Sequence, residues 1–316
     1  MASILVTGAT TRLGRSLIER FLSDDAVSHV VAVSHEPDSE ALQFPQSDRF
    51  SYHCVDLGKT RQVHDMLFGP ARDHKVEVVV HLGHQEDPYI RGRRVHMASV
   101  EAVRSILSLS DRHPTIRRVI LRSYAEVYRV RMDLPVLVTE DHPLNLSSTA
   151  PQYVRDRVEA DLTACARMGL VKASIVVLRC AEALESNTGS QLYDFLNGRI
   201  SPRPAGFDPM INVASVDDLA TAIERATQGS EQGVFNIPGY DTLPLSEVIR
   251  KWGAKSFPLP SALLRPMFRL QHLTTGSTFE YDLNQHRMHF GLVLDGTRAQ
   301  NVLGYTPSNA IQWPHQ

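Results

Sequence analysis

The residues that most clearly imply chemistry are Gly8, Thr10, Thr11, Arg12, Leu13 and Gly14, in the segment Ile4-Leu5-Val6-Thr7-Gly8-Ala9-Thr10-Thr11-Arg12-Leu13-Gly14. An apolar run ends in this turn, and a helical pattern follows through Leu17, Ile18, Phe21 and Leu22. Strand, glycine turn and helix in that order make a site for a pyrophosphate. Glycine lets the backbone turn tightly and approach the phosphates, and the helix start offers N–H groups and a positive dipole end. The chemistry implied is the holding of a dinucleotide. The pattern departs from its usual form at Thr11, where a third glycine is expected. A β-branched residue there adds bulk and restricts the backbone, while its hydroxyl is able to donate to a phosphate or to cap the helix.

The elements that must position this turn follow from hydrophobic periodicity. It predicts strands at Ile4–Thr7, His29–Val33, Phe50–Val55, Val76–Leu82, Arg118–Arg122 and Ala173–Leu178, with helices over about 12–23, 59–68, 91–112 and 152–167. Such alternation implies an α/β fold, a Rossmann-type doubly wound parallel sheet, with a ligand crevice at the carboxyl ends of the strands. Segments His84–Arg91 and Tyr124–Gln152 would overhang that crevice. The second contains Pro135, Pro143 and Pro151 and reads as an irregular lid or pocket wall. Beyond about residue 180 the alternation stops. A helix at Val216–Ala226 has Asp217 or Asp218 near its start, a short strand follows at Gly233–Ile237, and a helix at Pro244–Trp252 is capped at or near Ser246. Residues 253–290 show no readable periodicity. The division expected is a dinucleotide-binding domain over 1–180 and mainly a smaller C-terminal substrate lobe over 181–316, some of whose segments return to the core.

Composition narrows the partners. The 316 residues are 42% hydrophobic and 22% charged, an ordinary globular balance. A net charge of −2 supplies no global basic field for nucleic acid. No run approaches the roughly 18 consecutive apolar residues of a membrane span. Cys54, Cys165 and Cys180 are widely spaced, odd in number and without metal-ligand pairing, which suits a reduced cytoplasm. No Ser–His–Asp or metal-ligand cluster emerges from spacing.

Several further motifs now fit together: Val55-Asp56-Leu57 after the third strand, Val80-His81-Leu82-Gly83 after the fourth, and Ser123-x-x-x-Val127-Tyr128 after the fifth. Tyr153 opens a helix, and Leu178-Arg179, Ile211-Asn212-Val213, Asp217-Asp218 and Leu303-Gly304-Tyr305-x-Pro307 follow. In order and spacing the chain resembles, nearly end to end, the extended short-chain dehydrogenase/reductase family, the group containing nucleotide-sugar epimerases and dehydratases. Gly206-Phe207-Asp208-Pro209-Met210 with Phe235-Asn236-Ile237 looks like an atypical bacterial branch whose members are mostly labelled only epimerase/dehydratase-like. The resemblance implies NAD or NADP as cofactor, held by the glycine turn together with Asp56, Leu57, Leu82 and Gly83. It implies an adenine contact for Asp56, for which a helix-capping role is the plain alternative. The end of the second strand, Ser34-His35-Glu36, should choose between the cofactors, an acid there favouring the ribose hydroxyl and an arginine the 2′-phosphate. Ser34 and His35 do neither clearly, and Arg12 and Arg15 on the glycine-loop helix either meet a 2′-phosphate or are solvated helix residues, so the choice stays open.

The resemblance also implies a catalytic centre. In the family a tyrosine acts as acid and base with a lysine four residues later, on the same helix face. Here the pair is Tyr153 and Arg157. Arginine keeps the positive charge but gives up no proton, so it supports the phenol only electrostatically; the alternative is a surface arginine pairing with Asp161. Tyr124 occupies the position of the family's Ser or Thr. Its phenol is a hydrogen-bond donor or an acid/base in its own right, or else its ring plugs the pocket. Ser123 beside it should point to the opposite side. His84 in the crevice loop is a candidate replacement base, with surface exposure as the alternative, and His81 matches a structural position. Three functions are left: an NAD(P)-dependent oxidoreductase, epimerase or dehydratase acting on a nucleotide-linked or other hydroxyl substrate with an altered site, a non-catalytic dinucleotide-binding sensor or scaffold, or an unrelated small-molecule binder that uses the crevice without a dinucleotide. Homodimerisation through helices 91–112 and 152–167 is the family habit.

Overall fold

The computed structural model describes residues 2–37, 44–83 and 87–315. Strands β1 (Ala2–Thr7), β2 (Val27–Ser34), β3 (Phe50–Cys54), β4 (Val76–His81), β5 (Arg118–Tyr124), β6 (Ser174–Cys180) and β7 (Gly233–Ile237) form one sheet in the order β3-β2-β1-β4-β5-β6-β7. Every pairing in it is parallel. A parallel sheet is covered on both faces, and β4 and β5 are accordingly buried along nearly their whole length. The strand order reverses between β1 and β4, the switch point at which a doubly wound sheet opens a crevice, and the glycine turn follows β1 there.

Helices Arg12–Ser23 and Val216–Gln228 cover one face, sharing a core that includes Leu13, Leu17, Ile18, Leu219 and Ile223. Helices Thr60–Met66 and Ala102–Ser110 cover the other through Val63, Met66, Ile106 and Leu107. The helix expected over 91–112 begins at Arg93, widens to a looser turn at Met97–Glu101 and ends at Ser110. The C-terminal lobe is a three-stranded sheet of Asp241–Pro244, Met210–Ala214 and Glu182–Ala183, packed against helices Gln191–Leu196, Leu245–Trp252, Ser261–Thr275 and Tyr281–Phe290. Its own core includes Phe195, Val248, Phe268 and Met288. Among the described residues no helix is long and apolar enough to cross a membrane.

The structure adds detail to three local expectations. The helix at Val216 carries Asp217 and Asp218 in its first turn, as expected, and is capped by Ser215, whose Oγ accepts from Asp218 N at 3.0 Å; Asp218 itself is fully buried and accepts from the amides of Ser308 and Asn309. Ser246 does not cap its helix, because Asp208 takes both its N–H and its hydroxyl, at 2.8 and 2.6 Å. The segment Tyr124–Gln152 is tied to the C-terminal part of the chain, as a pocket wall would be. Leu137–Val138 pairs with Val293–Leu294, and the Asn236 side chain donates to Val138 O at 2.8 Å.

Candidate functional site

At the glycine turn, Gly8 has φ of +70°, a region that strongly favours glycine, and a side chain on it would press on Leu82 and Gly83. A side chain on Gly14 would lie 2.3 Å from Gly8 O, so only glycine lets the helix seat this close. Thr11 is different. Its φ of −65° is open to any residue, and its hydroxyl donates to Gly8 O at 2.7 Å while accepting from Gly14 N at 3.1 Å. Thr11 therefore caps the helix. The amides of Arg12 and Leu13 find no acceptor among the described residues, which is the donor pair a phosphate requires. On this observation the turn fits a dinucleotide.

The end of β2 holds a residue the sequence reading passed over. The Glu36 carboxylate accepts from the Thr10 hydroxyl at 2.8 Å and from the Ser34 hydroxyl, tying the strand end to the turn. Burial raises the Glu36 carboxyl, but these two hydrogen bonds outweigh it and hold the group below its ordinary range. A residue two places past a strand end is easily read as loop, and only the fold brings Glu36 back to Thr10. Arg12 is engaged by Glu185 at 3.0 Å. Arg15 donates to Thr10 O at 3.0 Å and lies over the Phe44 ring. Asp56 makes the local turn, accepting from Gly58 N at 3.0 Å beside Lys59. Leu82 is buried, and Leu57 lies beside Gly83.

At the other end of the crevice Tyr153, Arg157 and Tyr124 come together and are all buried. The helix Gln152–Cys165 sets the first two one turn apart on one face. Arg157 donates to the Tyr153 hydroxyl, which itself donates to Gly189 O at 3.2 Å. The guanidinium is stacked 3.7 Å from the Tyr124 ring centre and 4.0 Å from that of Tyr153. It pairs with Glu126 at 3.1 Å rather than with Asp161. Asp161 instead holds Arg179 at 2.7 Å and the Ser123 hydroxyl at 2.6 Å, so Ser123 points away from Tyr124 as strand alternation requires.

Glu126 is the residue sequence reasoning missed at this end. It sits between Arg157 and Arg287, and Arg287 reaches on to Glu182 at 3.0 Å. Burial raises the Glu126 carboxyl, but the two arginines outweigh it and hold the group down. Burial and the neighbouring Glu126 push Glu182 up, and Arg287 only partly opposes them. Burial likewise pushes the Tyr124 phenol up to about 12 and Tyr153 further up, the nearby Arg157 only partly opposing it. A phenol raised this far is a hydrogen-bond donor and a poor base at neutral pH.

The histidines are used otherwise. His81 is buried against the Thr7 hydroxyl at 2.7 Å, and burial lowers it to about 4. His84 lies outside the described residues. Tertiary packing brings His96, Asp156 and Glu159 within 4.8 Å of one another, but Asp156 is held by His96 and Gln152, and Glu159 faces Arg104.

Residues 4–191 match the sequence pattern of the NAD dependent epimerase/dehydratase family. The chain belongs to that family. An uncharacterized protein of Mycobacterium tuberculosis is 27% identical over 96% of this chain and 80% of its own length. Solved structures of similar fold include a dTDP-glucose 4,6-dehydratase from Bacillus anthracis in complex with NAD, at a TM-score of 0.71 and 16% identity, covering 98% of this chain and 93% of the other. A UDP-glucose 4-epimerase from Thermotoga maritima with UDP-glucose gives 0.70 and 15%, covering 98% and 94%. As the family description implies, the cofactor is a nicotinamide dinucleotide, whose chemistry when bound is hydride transfer.

Proposed function

We propose that this protein binds NAD in preference to NADP and keeps an epimerase/dehydratase-type centre whose proton chemistry is altered. The carrying observation is the Tyr153 hydroxyl, gripped by Arg157 and donating to Gly189 O. Tyr153 would exchange its Gly189 contact for an oxygen of the substrate, orienting and donating to it, and does not cycle as a base. Arg157 stands where it can hold the phenol but not relay a proton. Gly8, Gly14 and the amides of Arg12 and Leu13 would hold the pyrophosphate. Glu36 supports NAD, since a carboxylate at the end of β2 accepts from ribose hydroxyls and repels a 2′-phosphate.

Calorimetric titration with NAD⁺, NADH, NADP⁺ and NADPH tests the cofactor. Micromolar binding of the NAD pair, about −8 kcal/mol, with weaker binding of the NADP pair is expected. Glu36→Gln should narrow that difference, and tighter binding of NADPH by the unaltered chain would overturn the preference. Tyr153→Phe should leave NAD binding nearly unchanged and abolish turnover in a screen of hydroxyl substrates. A second reading, a non-catalytic NAD-binding sensor or scaffold, is favoured by the Gly189 contact; it expects no turnover from either form.

A further inference from the structure

A cleft of about 320 Å³ lies between the wall segment that follows β5 and the helix Tyr281–Phe290. It is separate from the space lined by Tyr124, Tyr153 and Arg157, and the two share no residue. The chain builds its rim locally. Arg129 N donates to Pro143 O and Asn145 N to Val127 O, both at 2.8 Å, around an antiparallel bridge of Tyr128 with Leu144. That pairing brings Arg129, Arg131 and Asn145 to the cleft, and the helix adds His286 and Arg287. The apolar part of the lining is well supported: Val154 belongs to the core, and Val130 and Leu283 pack against it.

Charge decides what such a cleft takes. Three arginines line it against one carboxylate, Glu126. Arg287 is committed to Glu182 and Glu126. Arg131 meets Asp133 at 2.9 Å with both side chains well exposed, a pair that is worth little and is readily exchanged. The Arg129 guanidinium and the Asn145 side-chain amide have no partner among the described residues. His286 stands in the same surplus: burial first, and then His289 and Arg131, push it below its ordinary value. A guanidinium fork beside an unused amide matches a carboxylate or phosphate head, and the valine and leucine surface gains from an apolar body. The volume is at the small end for a ligand pocket, so that body must be short. We propose that this cleft is a second ligand site, for a small organic anion whose carboxylate or phosphate meets Arg129, Arg131 and Asn145 while a short apolar body lies on Val130, Val154 and Leu283. The site goes beyond the dinucleotide reading and stands whether or not the glycine turn binds NAD.

The test uses the full chain and three probes of similar size, phenyl phosphate, benzoate and uncharged benzamide, in calorimetric titrations. The expected result is saturable binding of at least one anion below about 1 mM, with benzamide weaker by at least about tenfold. Phenyl phosphate alone assigns a phosphate head and benzoate alone a carboxylate; either supports the site. Arg129→Gln should weaken the bound anion about tenfold, and Arg131→Gln should weaken it less, since Asp133 already shares that charge. Both arginines are exposed, and circular dichroism checks that the variants fold. The comparison of charged and uncharged probes in the unaltered chain decides even if a variant does not. Saturating NADH should leave the anion's affinity unchanged. Equal binding of benzamide, no saturable binding of either anion, unchanged affinity in folded Arg129→Gln, or displacement of the anion by NADH overturns the proposal. Anion binding without NADH binding keeps this site and removes only the dinucleotide reading.

Discussion

The glycine turn and the buried tyrosine–arginine cluster sit at two ends of one crevice, and at each the sequence departs from the pattern its resemblance led one to expect. They absorb the change differently. At the turn, Thr11 keeps an ordinary backbone conformation and its hydroxyl closes two local hydrogen bonds, so the substitution is contained within Gly8–Gly14. At the centre, Arg157 brings a permanent charge into a buried place. That charge is answered by Glu126, which is shared with Arg287, which is shared with Glu182. A neutral residue at a helix start is accommodated by one cap, whereas a buried charge must be compensated across several elements.

The largest effect should come from breaking the charge chain. Glu126→Ala leaves Arg157 without its carboxylate partner in a dry site, and a loss of about 3–5 kcal/mol in urea unfolding is expected. A loss below about 1 kcal/mol would mean that water or another group already satisfies the arginine.

Next in size is a pH effect from beneath the turn. His81 is buried, neutral and lowered to about 4 from 6.5. A folded-state value below the unfolded one means that its contribution is fully present above pH 6.5 and is lost as the pH falls through 4, because only the unfolded chain gains the proton. Roughly 3 kcal/mol should go across that window. His81→Asn should lessen the dependence in denaturation curves taken from pH 7 to pH 4, part of it staying with His29, which burial also lowers to about 4; an unchanged slope would place the proton uptake elsewhere.

The smallest effects belong to Thr11. Thr11→Ala removes the cap and should cost about 1 kcal/mol, while Thr11→Gly should cost only a few tenths. Thr11→Gly should also leave NADH affinity equal or improved in fluorescence titration. A marked loss of affinity would show that the threonine hydroxyl serves the ligand as well as the helix, and the contrast between the two ends would narrow.

Much of the fold was legible because its signals are local. The apolar runs of β1, β4 and β5 and the Leu13–Leu17–Ile18–Phe21 stripe are consequences of covering a parallel sheet on both faces. Helices Ser261–Thr275 and Tyr281–Phe290 were not legible. The first buries only Leu264 and Phe268 and leaves Leu263, Leu270 and Leu273 exposed, and Pro266 lies within it. The second turns Asn284 and Arg287 inward to the site, so it shows no apolar stripe. The same holds for the site. Spacing put Tyr153 and Arg157 on one face, but no spacing relates Glu126 to Arg287 or Glu36 to Thr10.

The sequence by itself determined the glycine turn, the succession of strands and helices it begins and the family, because a strand, a turn and a helix each follow from residues within a few positions of one another. Only the tertiary structure decided that Thr11 is a cap, that Arg157 belongs to Glu126 and not Asp161, and that Glu36 returns to Thr10. Those outcomes depend on charges and side chains brought together from distant parts of the chain, where burial makes each polar group seek a partner and the fold alone supplies it.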